Sequence, residues 1–234
     1  MLQFNPTYNQ ITGTIPPEIG DLTTLHSVFW YGTDIGGTLP TELGRLEGLR
    51  NLWFYDNAFF SGGPVPSEIG KLSLLEQLIL ANNGHTGSLP SELGLLSNFN
   101  SFLFSGNNLE GSTIPEEFWN ATSLEQLDID NAGFGGTLSK NIGKMTNLIG
   151  IKASRNQFTG TVPTEIGLIG DNLLLLWFHF NDLTGSIPLD ICRLRGPNNL
   201  QFINADCGGS DAQISCISGC CTGCCDEFGQ CQQL

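Results

Sequence analysis

Basic residues are scarce in this 234-residue chain, because 9 Lys and Arg stand against 23 Asp and Glu, for a formal net charge of -14 at pH 7. Proteins that bind nucleic acid neutralise a run of phosphates with a basic stripe or patch. Nine scattered basic side chains cannot provide one. We therefore expect no nucleic-acid partner.

Long apolar runs are lacking as well. The longest uncharged apolar stretch, Leu173 to Phe178, is far shorter than the ~20 residues of a membrane-spanning helix, so we expect no membrane span within this segment. Hydrophobic residues still make up 40% of the chain. That share suffices for a packed core and argues against a disordered chain.

An internal repeat organises the sequence, since the first apolar residue of each unit recurs every 24 to 27 residues. Further apolar residues follow three and five positions later, as at Leu75, Leu78 and Leu80. This alternation predicts one short strand per unit. The nine unit starts are Met1, Leu25, Leu49, Leu75, Phe99, Leu124, Leu148, Leu173 and Leu200.

An asparagine recurs eight positions after most unit starts, and the two exceptions are Thr33 and Ala132. A side-chain amide offers two donors and an acceptor oxygen, so stacked copies can satisfy backbone groups where each strand turns away. We predict a buried amide ladder, which Thr33 can join in part and Ala132 cannot. The asparagines are Asn9, Asn57, Asn83, Asn107, Asn156 and Asn181.

The second half of each unit places a glycine and a hydrophobic-Pro pair before a Glu-Ile-Gly stretch, as in residues 12–20. Glycine accepts positive φ and proline cannot extend a hydrogen-bonded ladder, so each unit turns at a fixed place. A short helical turn is predicted after the proline. From residue 1 to about residue 200, the resulting pattern LxxLxLxxNxLxGxIPxEIGxL resembles the plant-type leucine-rich repeats.

The resemblance implies an α/β solenoid, a right-handed leucine-rich-repeat superhelix of about nine coils. It also implies a parallel β-sheet on the concave face, short helical turns and a second short sheet elsewhere. We assign residues 1–196 to the solenoid and residues 197–234 to the last strand and a Cys-rich C-terminal cap. The chain opens inside a repeat, without the N-terminal cap or signal peptide of secreted family members. We therefore expect a fragment or a misassigned start codon.

All eight cysteines lie in the last 43 residues. An even count, in a segment that must cover the open end of a solenoid, favours disulfide bonds, whose pairing cannot be deduced from the sequence. A zinc site built on the Cys220/Cys221 and Cys224/Cys225 pairs is the alternative. The segment also resembles the Cys-rich caps of leucine-rich-repeat proteins from diatoms. The cysteines are Cys192, Cys207, Cys216, Cys220, Cys221, Cys224, Cys225 and Cys231.

Side chains between the buried strand positions face the concave surface, where the repeat imposes no identity. Aromatic and apolar residues concentrate there, and Trp and Tyr are frequent binding hot spots. The alternative is that aromatics stack across neighbouring strands for structural reasons alone. The candidate ligand-binding residues are Phe29, Tyr31, Trp53, Tyr55, Ile79 and Leu103, with a second group at Trp177, His179 and Phe180 that the cap could partly cover.

Catalytic motifs are missing from the sequence. The histidines His26, His85 and His179 fall in three different units, and there is no G-x-S-x-G or H-E-x-x-H motif. Acidic residues that recur at one position of the repeat are interpreted as a structural ladder. We expect no enzymatic activity, no metal and no cofactor.

The family resemblance implies a non-enzymatic recognition module that binds a protein, peptide or glycan on its concave face. It would be the extracellular or cell-surface part of a receptor-like protein, to which a kinase domain could be attached, or a secreted inhibitor-like protein. The alternative is a structural or adhesive extracellular or cell-wall protein without a discrete ligand site. The triplet Asn120-Ala121-Thr122 predicts N-glycosylation at Asn120.

Overall fold

One large sheet runs through the protein. The structure is a computed structural model that describes residues 2–57, 59–196, 199–208, 213–216, 219–226 and 231–233. Side chains are described at all of these positions except 59, 231 and 233. The sheet has eleven strands in chain order. The first ten run parallel, and the last pairs antiparallel with the tenth. The strands are β1 (Leu2–Phe4), β2 (Leu25–Tyr31), β3 (Asn51–Tyr55), β4 (Gln77–Ile79), β5 (Ser101–Leu103), β6 (Gln126–Asp128), β7 (Gly150–Lys152), β8 (Leu175–Trp177), β9 (Phe202–Ala205), β10 (Gly223–Cys225) and β11 (Cys231–Gln233).

Each parallel strand buries alternate side chains, as the apolar alternation predicts. In β3, Leu52 and Phe54 are buried, while Asn51, Trp53 and Tyr55 point to the opposite side and are partly exposed. The buried members join one continuous apolar core that extends from the first coil into the cap. The outward side of the sheet is the concave face on which the candidate residues were predicted.

Shorter strands form small parallel sheets on a neighbouring flank. The predicted second sheet is therefore present, but in the described residues it is divided into separate pieces. Gly160, with φ of 78°, ends its strand in the left-handed region that glycine enters without strain. The pieces are Gly36–Thr38 with Phe59–Gly62, Gly135–Thr137 with Gln157–Gly160 and Asp182–Leu183, and Gly185–Ser186 with Ile214–Ser215.

The predicted helical turns are 3₁₀-helices, which suit a short segment confined between a proline and the next strand. Ser139 takes the place of the proline once, and its Oγ accepts a hydrogen bond from the backbone N–H of Asn141 at 3.1 Å. A four-residue α-helix, Leu189–Cys192, ends the solenoid. Among the described residues, no helix is both long and apolar enough to cross a bilayer. The 3₁₀-helices are Pro17–Asp21, Thr41–Arg45, Ser67–Lys71, Ser91–Leu95, Glu116–Asn120, Lys140–Lys144 and Thr164–Asn172.

The predicted amide ladder joins successive coils. Asn107 is buried, and its Nδ2 donates to the carbonyl oxygens of Phe104 at 2.7 Å and Leu80 at 3.1 Å. Its Oδ1 accepts from the backbone N–H of His85 at 2.9 Å. Thr33 takes part through a 2.7 Å bond from its Oγ1 to the Oδ1 of the next asparagine. Asn9 differs from the prediction, because it is exposed and bonds within its own coil.

Disulfide bonds hold the C-terminal cap against the last coil, which confirms the prediction for the described pairs. Cys192, at the end of the α-helix, is bonded to Cys220 in the cap. Cys225 is also disulfide-bonded, whereas the side chain of Cys231 lies outside the described residues. The remaining described pairs are Cys207–Cys224 and Cys216–Cys221.

Candidate ligand-binding face

Outward side chains of the main sheet form columns, because parallel pairing keeps equivalent residues of successive coils opposite each other. The first column is Ser27, Asn51, Gln77, Ser101, Gln126, Gly150, Leu175 and Phe202. The central column is Phe29, Trp53, Ile79, Leu103, Asp128, Lys152, Trp177 and Asn204. The candidate site residues were predicted mainly in the central column and in the next column along the strands.

Four aromatic residues on β2 and β3 form a contiguous surface, which we call the aromatic platform: Phe29, Tyr31, Trp53 and Tyr55. The Phe29 and Trp53 rings meet edge to face with centroids 4.7 Å apart, and the Tyr31 and Tyr55 rings stack at 4.3 Å. All four side chains are partly exposed. The indole N–H of Trp53 donates to the Oε1 of Gln77 at 3.1 Å, which fixes the orientation of the ring.

Two features add to the platform beyond the candidate binding residues. Tyr8, which is 81% exposed, meets Tyr31 edge-on at 5.4 Å and so extends the platform toward β1. The pKa of Tyr55 is raised to about 12, mainly by burial and in second place by the neighbouring Tyr31. The Tyr55 hydroxyl is therefore neutral at physiological pH and can both donate and accept a hydrogen bond.

Ile79 and Leu103 continue the platform along the central column. The register pairs Trp53 with Ile79 and Ile79 with Leu103, and both aliphatic side chains are half-buried. The structure thus brings the six residues of the first candidate group together on four neighbouring strands. Their role in binding stays a prediction.

The second candidate group also lies together, on and after β8. His179 contacts Trp177 and Phe180, with ring centroids 6.3 Å and 4.9 Å away. Lys152 lies 5.2 Å from the Trp177 ring and Arg155 lies 5.2 Å from the Phe180 ring, which are cation–π distances. All three candidate side chains are half-buried.

The Ser154 and His179 side chains form a hydrogen bond that superficially resembles a catalytic dyad, with 3.1 Å between Oγ and Nδ1. Ser154 is fully buried, so its oxygen cannot reach a substrate. Burial lowers the pKa of His179, which is therefore neutral at pH 7. In the described residues, this pair is consistent with a structural bond rather than with nucleophilic catalysis.

A cavity of about 380 Å³ opens on the concave face where Gly150 interrupts the first column. The cavity was not predicted from the sequence. The signal was Gly150 itself, because the neighbouring coils carry a larger side chain at the equivalent position. Most of its wall is apolar, and Asp128 and Lys152 lie along one side with their charged groups 3.6 Å apart. The lining residues are Leu103, Gln126, Leu127, Asp128, Ile149, Gly150, Lys152, Leu174, Leu175, Gln201 and Phe202.

The predicted glycosylation site is accessible. Asn120 ends a 3₁₀-helix and is exposed, as is Thr122, the third residue of the triplet. Accessibility is necessary for modification, and glycosylation of Asn120 stays a prediction.

Comparison with known proteins gives matches among solved structures, whereas no family model and no curated protein matches the chain. One match is the leucine-rich-repeat ectodomain of the membrane receptor kinase GASSHO1/SCHENGEN3 from Arabidopsis thaliana, in complex with CASPARIAN STRIP INTEGRITY FACTOR 2. It is 31% identical with a TM-score of 0.77, over 84% of this chain and 23% of that chain.

Two further structures support the same fold. The plant peptide hormone receptor RGFR1, in complex with RGF2, is 30% identical with a TM-score of 0.82, over 92% of this chain and 32% of that chain. A plant ice-binding protein is 21% identical with a TM-score of 0.68, over 93% of this chain and 73% of that chain, and it shows the fold alone.

The chain spans about a quarter to a third of the length of the two receptor ectodomains. The resemblance of the cap to diatom proteins stays a prediction. The 24- to 27-residue period, the amide ladder and the parallel sheet agree with the structural matches. The chain is therefore a leucine-rich-repeat solenoid of the plant type, closed by a disulfide-bonded C-terminal cap.

Proposed function

We propose that the chain is a non-enzymatic recognition module that binds a peptide or protein ligand on its concave face. The aromatic platform is the observation that carries this proposal. Phe29, Tyr31, Trp53 and Tyr55 present their rings side by side on two neighbouring strands. Aromatic side chains supply a large contact area with few rotatable bonds, and they dominate the energetics of many interfaces.

The comparisons support a peptide or protein as the ligand class. The matched receptor ectodomains include structures in complex with RGF2 and, for the receptor kinase HAESA, with the peptide hormone IDA and the co-receptor SERK1. A glycan ligand is compatible with an aromatic surface but has no such support among the matches.

An extracellular location fits the chemistry of the cap. Disulfide bonds persist in oxidising compartments and are rare in the cytosol. The bonds between Cys192 and Cys220 and between Cys207 and Cys224 belong to that class of stabilising cross-link. We propose that the chain is part of a cell-surface receptor-like protein or a secreted protein.

The competing function is a structural or adhesive spacer without a discrete ligand site. In that case the platform exists because aromatic pairs across strands stabilise the sheet, by roughly 0.2–1 kcal/mol per pair. Such stacking does not require that the rings stay partly exposed, as Trp53 and Tyr55 do. The exposed rings therefore favour recognition.

Selection from a displayed random peptide library would test the proposal. Enriched peptides would be synthesised and titrated against the wild type, a Trp53→Ala/Tyr55→Ala double variant and a Leu95→Ala control. Leu95 is 72% exposed on a 3₁₀-helix and lies outside the concave face. We expect the double variant to bind at least tenfold more weakly and the control to bind like the wild type. Failure to enrich any peptide would support the spacer function instead, whereas equal binding by all three proteins would exclude the platform as the binding surface.

A further inference from the structure

The cavity on the concave face exists because Gly150 has no side chain. The equivalent positions of the strands on either side are Gln126 and Leu175. A Cβ built on Gly150 would have nothing nearer than the Cβ of Leu175 at 3.9 Å, which is an ordinary van der Waals contact. Gly150 also lies outside the left-handed region of φ. The backbone therefore does not require glycine here, and its effect is to leave space.

Apolar side chains surround this space. Leu103, Leu174 and Leu175 form part of the wall, and Ile149 and Phe202 lie at the mouth. Ile149 is 39% exposed and Phe202 is 49% exposed, although both are large hydrophobic residues. Exposed apolar side chains around a concavity are a feature of binding sites on soluble proteins.

One acidic side chain, Asp128 on β6, lines the cavity, and Asp130 follows it two residues later. Lys152 pairs with the Asp128 carboxylate and lies beside the Trp177 ring, so its charge is already engaged. The Oδ1 of Asp130 is buried without a hydrogen-bond partner among the described residues. The carboxylate oxygen of Asp130 that lacks a partner favours a cationic group on a ligand that extends from the cavity along the concave face.

The volume of the cavity limits what can occupy it. About 380 Å³ lies near the lower end of the roughly 300–1,000 Å³ that enclose whole small ligands, and the cavity is partly open to solvent. One large apolar side chain, together with adjacent backbone, fits this space better than a complete drug-sized molecule. The remainder of such a ligand would lie along the concave face.

We propose that the cavity is a specificity pocket for a peptide that inserts one apolar side chain over Gly150 and places a neighbouring Arg or Lys beside Asp128 and Asp130. This inference rests on the proposed recognition function and adds the chemistry of the ligand. It also places the pocket apart from the aromatic platform, on β5 to β9 rather than on β2 and β3.

Short capped peptides provide the test. Acetyl-Leu-Arg-amide, acetyl-Ala-Arg-amide and acetyl-Leu-Glu-amide would each be titrated against the isotope-labelled protein, with affinity measured from amide NMR shifts. We expect the Leu-Arg peptide to bind at least fivefold more tightly than the other two and to shift the Gly150 amide. In an Asp128→Asn/Asp130→Asn double variant, the preference for Arg over Glu should disappear.

Variants at Gly150 identify the site directly. Gly150→Leu should fill the pocket and weaken the Leu-Arg peptide at least tenfold, and Gly150→Ala should have a smaller effect in the same direction. Thr159→Leu adds the same apolar side chain at an exposed position of the Gln157–Gly160 strand, away from the concave face, and should leave the affinity unchanged. Thermal unfolding of each variant shows whether the fold is retained, and the Gly150→Ala result keeps the test decisive if Gly150→Leu unfolds.

Specific outcomes would overturn the inference. These are no binding of the Leu-Arg peptide, equal binding of the Ala-Arg peptide, or affinity that folded Gly150 variants leave unchanged. Library peptides that depend on Trp53 but ignore Gly150→Leu would overturn the pocket while keeping the recognition function. The Leu-Arg peptide could instead lose affinity in the Gly150 variants and keep it in the platform variants. That result would overturn the role of the platform alone.

Discussion

The rings of Tyr31 and Tyr55 lie parallel to within 10°, with centroids 4.3 Å apart, on two neighbouring strands of the concave face. The contact partly buries the phenol of Tyr55 and places it beside the phenol of Tyr31. Burial is the first cause of the raised pKa of Tyr55, and Tyr31 is the second. Ionisation of Tyr55 is therefore coupled to the integrity of the platform.

Stability at alkaline pH should report this coupling. The pKa of Tyr55 is about 12 in the folded protein, against about 10 for an unfolded tyrosine, so the unfolded chain loses this proton first as the pH rises. The free energy of unfolding should therefore fall between about pH 10 and about pH 12. In the Tyr55→Phe variant, the free energy of unfolding measured with urea should fall less steeply over that pH range. An identical fall in both proteins would contradict the coupling.

His85 should make the fold sensitive to acid. It is fully buried, its ring lies between Phe60 and Phe104, and burial lowers its pKa to about 4. An unfolded histidine titrates near 6.5, so the unfolded state binds the proton first as the pH falls. The stability from the neutral ring is complete above about pH 6.5 and is lost toward about pH 4, by about 3 kcal/mol.

The His85→Leu variant isolates this effect. Its free energy of unfolding should depend less on pH between about 6.5 and about 4 than that of the wild type. His26, which is only partly buried, provides a control variant, His26→Leu, that leaves His85 and its surroundings intact. The assignment to His85 fails if both variants follow the wild-type curve.

Two adjacent asparagines should differ sharply in their contribution to stability. Replacing Asn107 by Ala removes its hydrogen bonds to the Phe104 carbonyl oxygen and from the His85 N–H, and it leaves the Leu80 carbonyl oxygen with the Asn83 amide alone, so we expect a loss of about 2–4 kcal/mol. Asn108 is exposed and bonds only locally to Glu110 through its side chain. Asn108→Ala should cost less than about 0.5 kcal/mol in the same urea experiment.

The disulfides of the cap should contribute according to the lengths of the loops they close. Cys192 and Cys220 are 28 residues apart, whereas Cys216 and Cys221 are 5 apart. Loop-closure entropy gives about 3.5 kcal/mol for the first bond and about 2 kcal/mol for the second. Paired Cys→Ser substitutions, compared by thermal unfolding, should therefore be more damaging at Cys192/Cys220. The reverse order would show that packing of the cap outweighs chain entropy.

Much of the fold follows from the period of the sequence. Leu75, Leu78 and Leu80 are all fully buried at the spacing that predicted a strand. The Asn positions predicted the amide ladder because a buried amide that recurs once per coil must bond to the coils beside it. The same period placed Phe29, Tyr31, Trp53 and Tyr55 on one face, since parallel register follows from equal coil length.

Features that depend on departures from the repeat were harder to predict. The cavity arises from the absent side chain at Gly150, and its importance is visible only when Gln126 and Leu175 are known to flank it in the sheet. The cysteine pairing depends on the path of an irregular segment that has no period. The repeat places Tyr8 on the concave face, but its edge-on contact with Tyr31 depends on a turn with positive φ that a tyrosine does not signal.

The alanine at position 132 has a consequence for the cooperativity of the solenoid. The backbone N–H of Ala132 donates a hydrogen bond to the Oδ1 of Asn156, but Ala132 has no side-chain amide to offer to the coil of Asn107, so the ladder is interrupted between these two coils. In repeat proteins, coupling between nearest neighbours determines which units unfold together. The solenoid should therefore behave as two cooperative blocks that meet at this seam. The aromatic platform belongs to one block and most of the Gly150 cavity to the other, so local opening at the seam would change their separation.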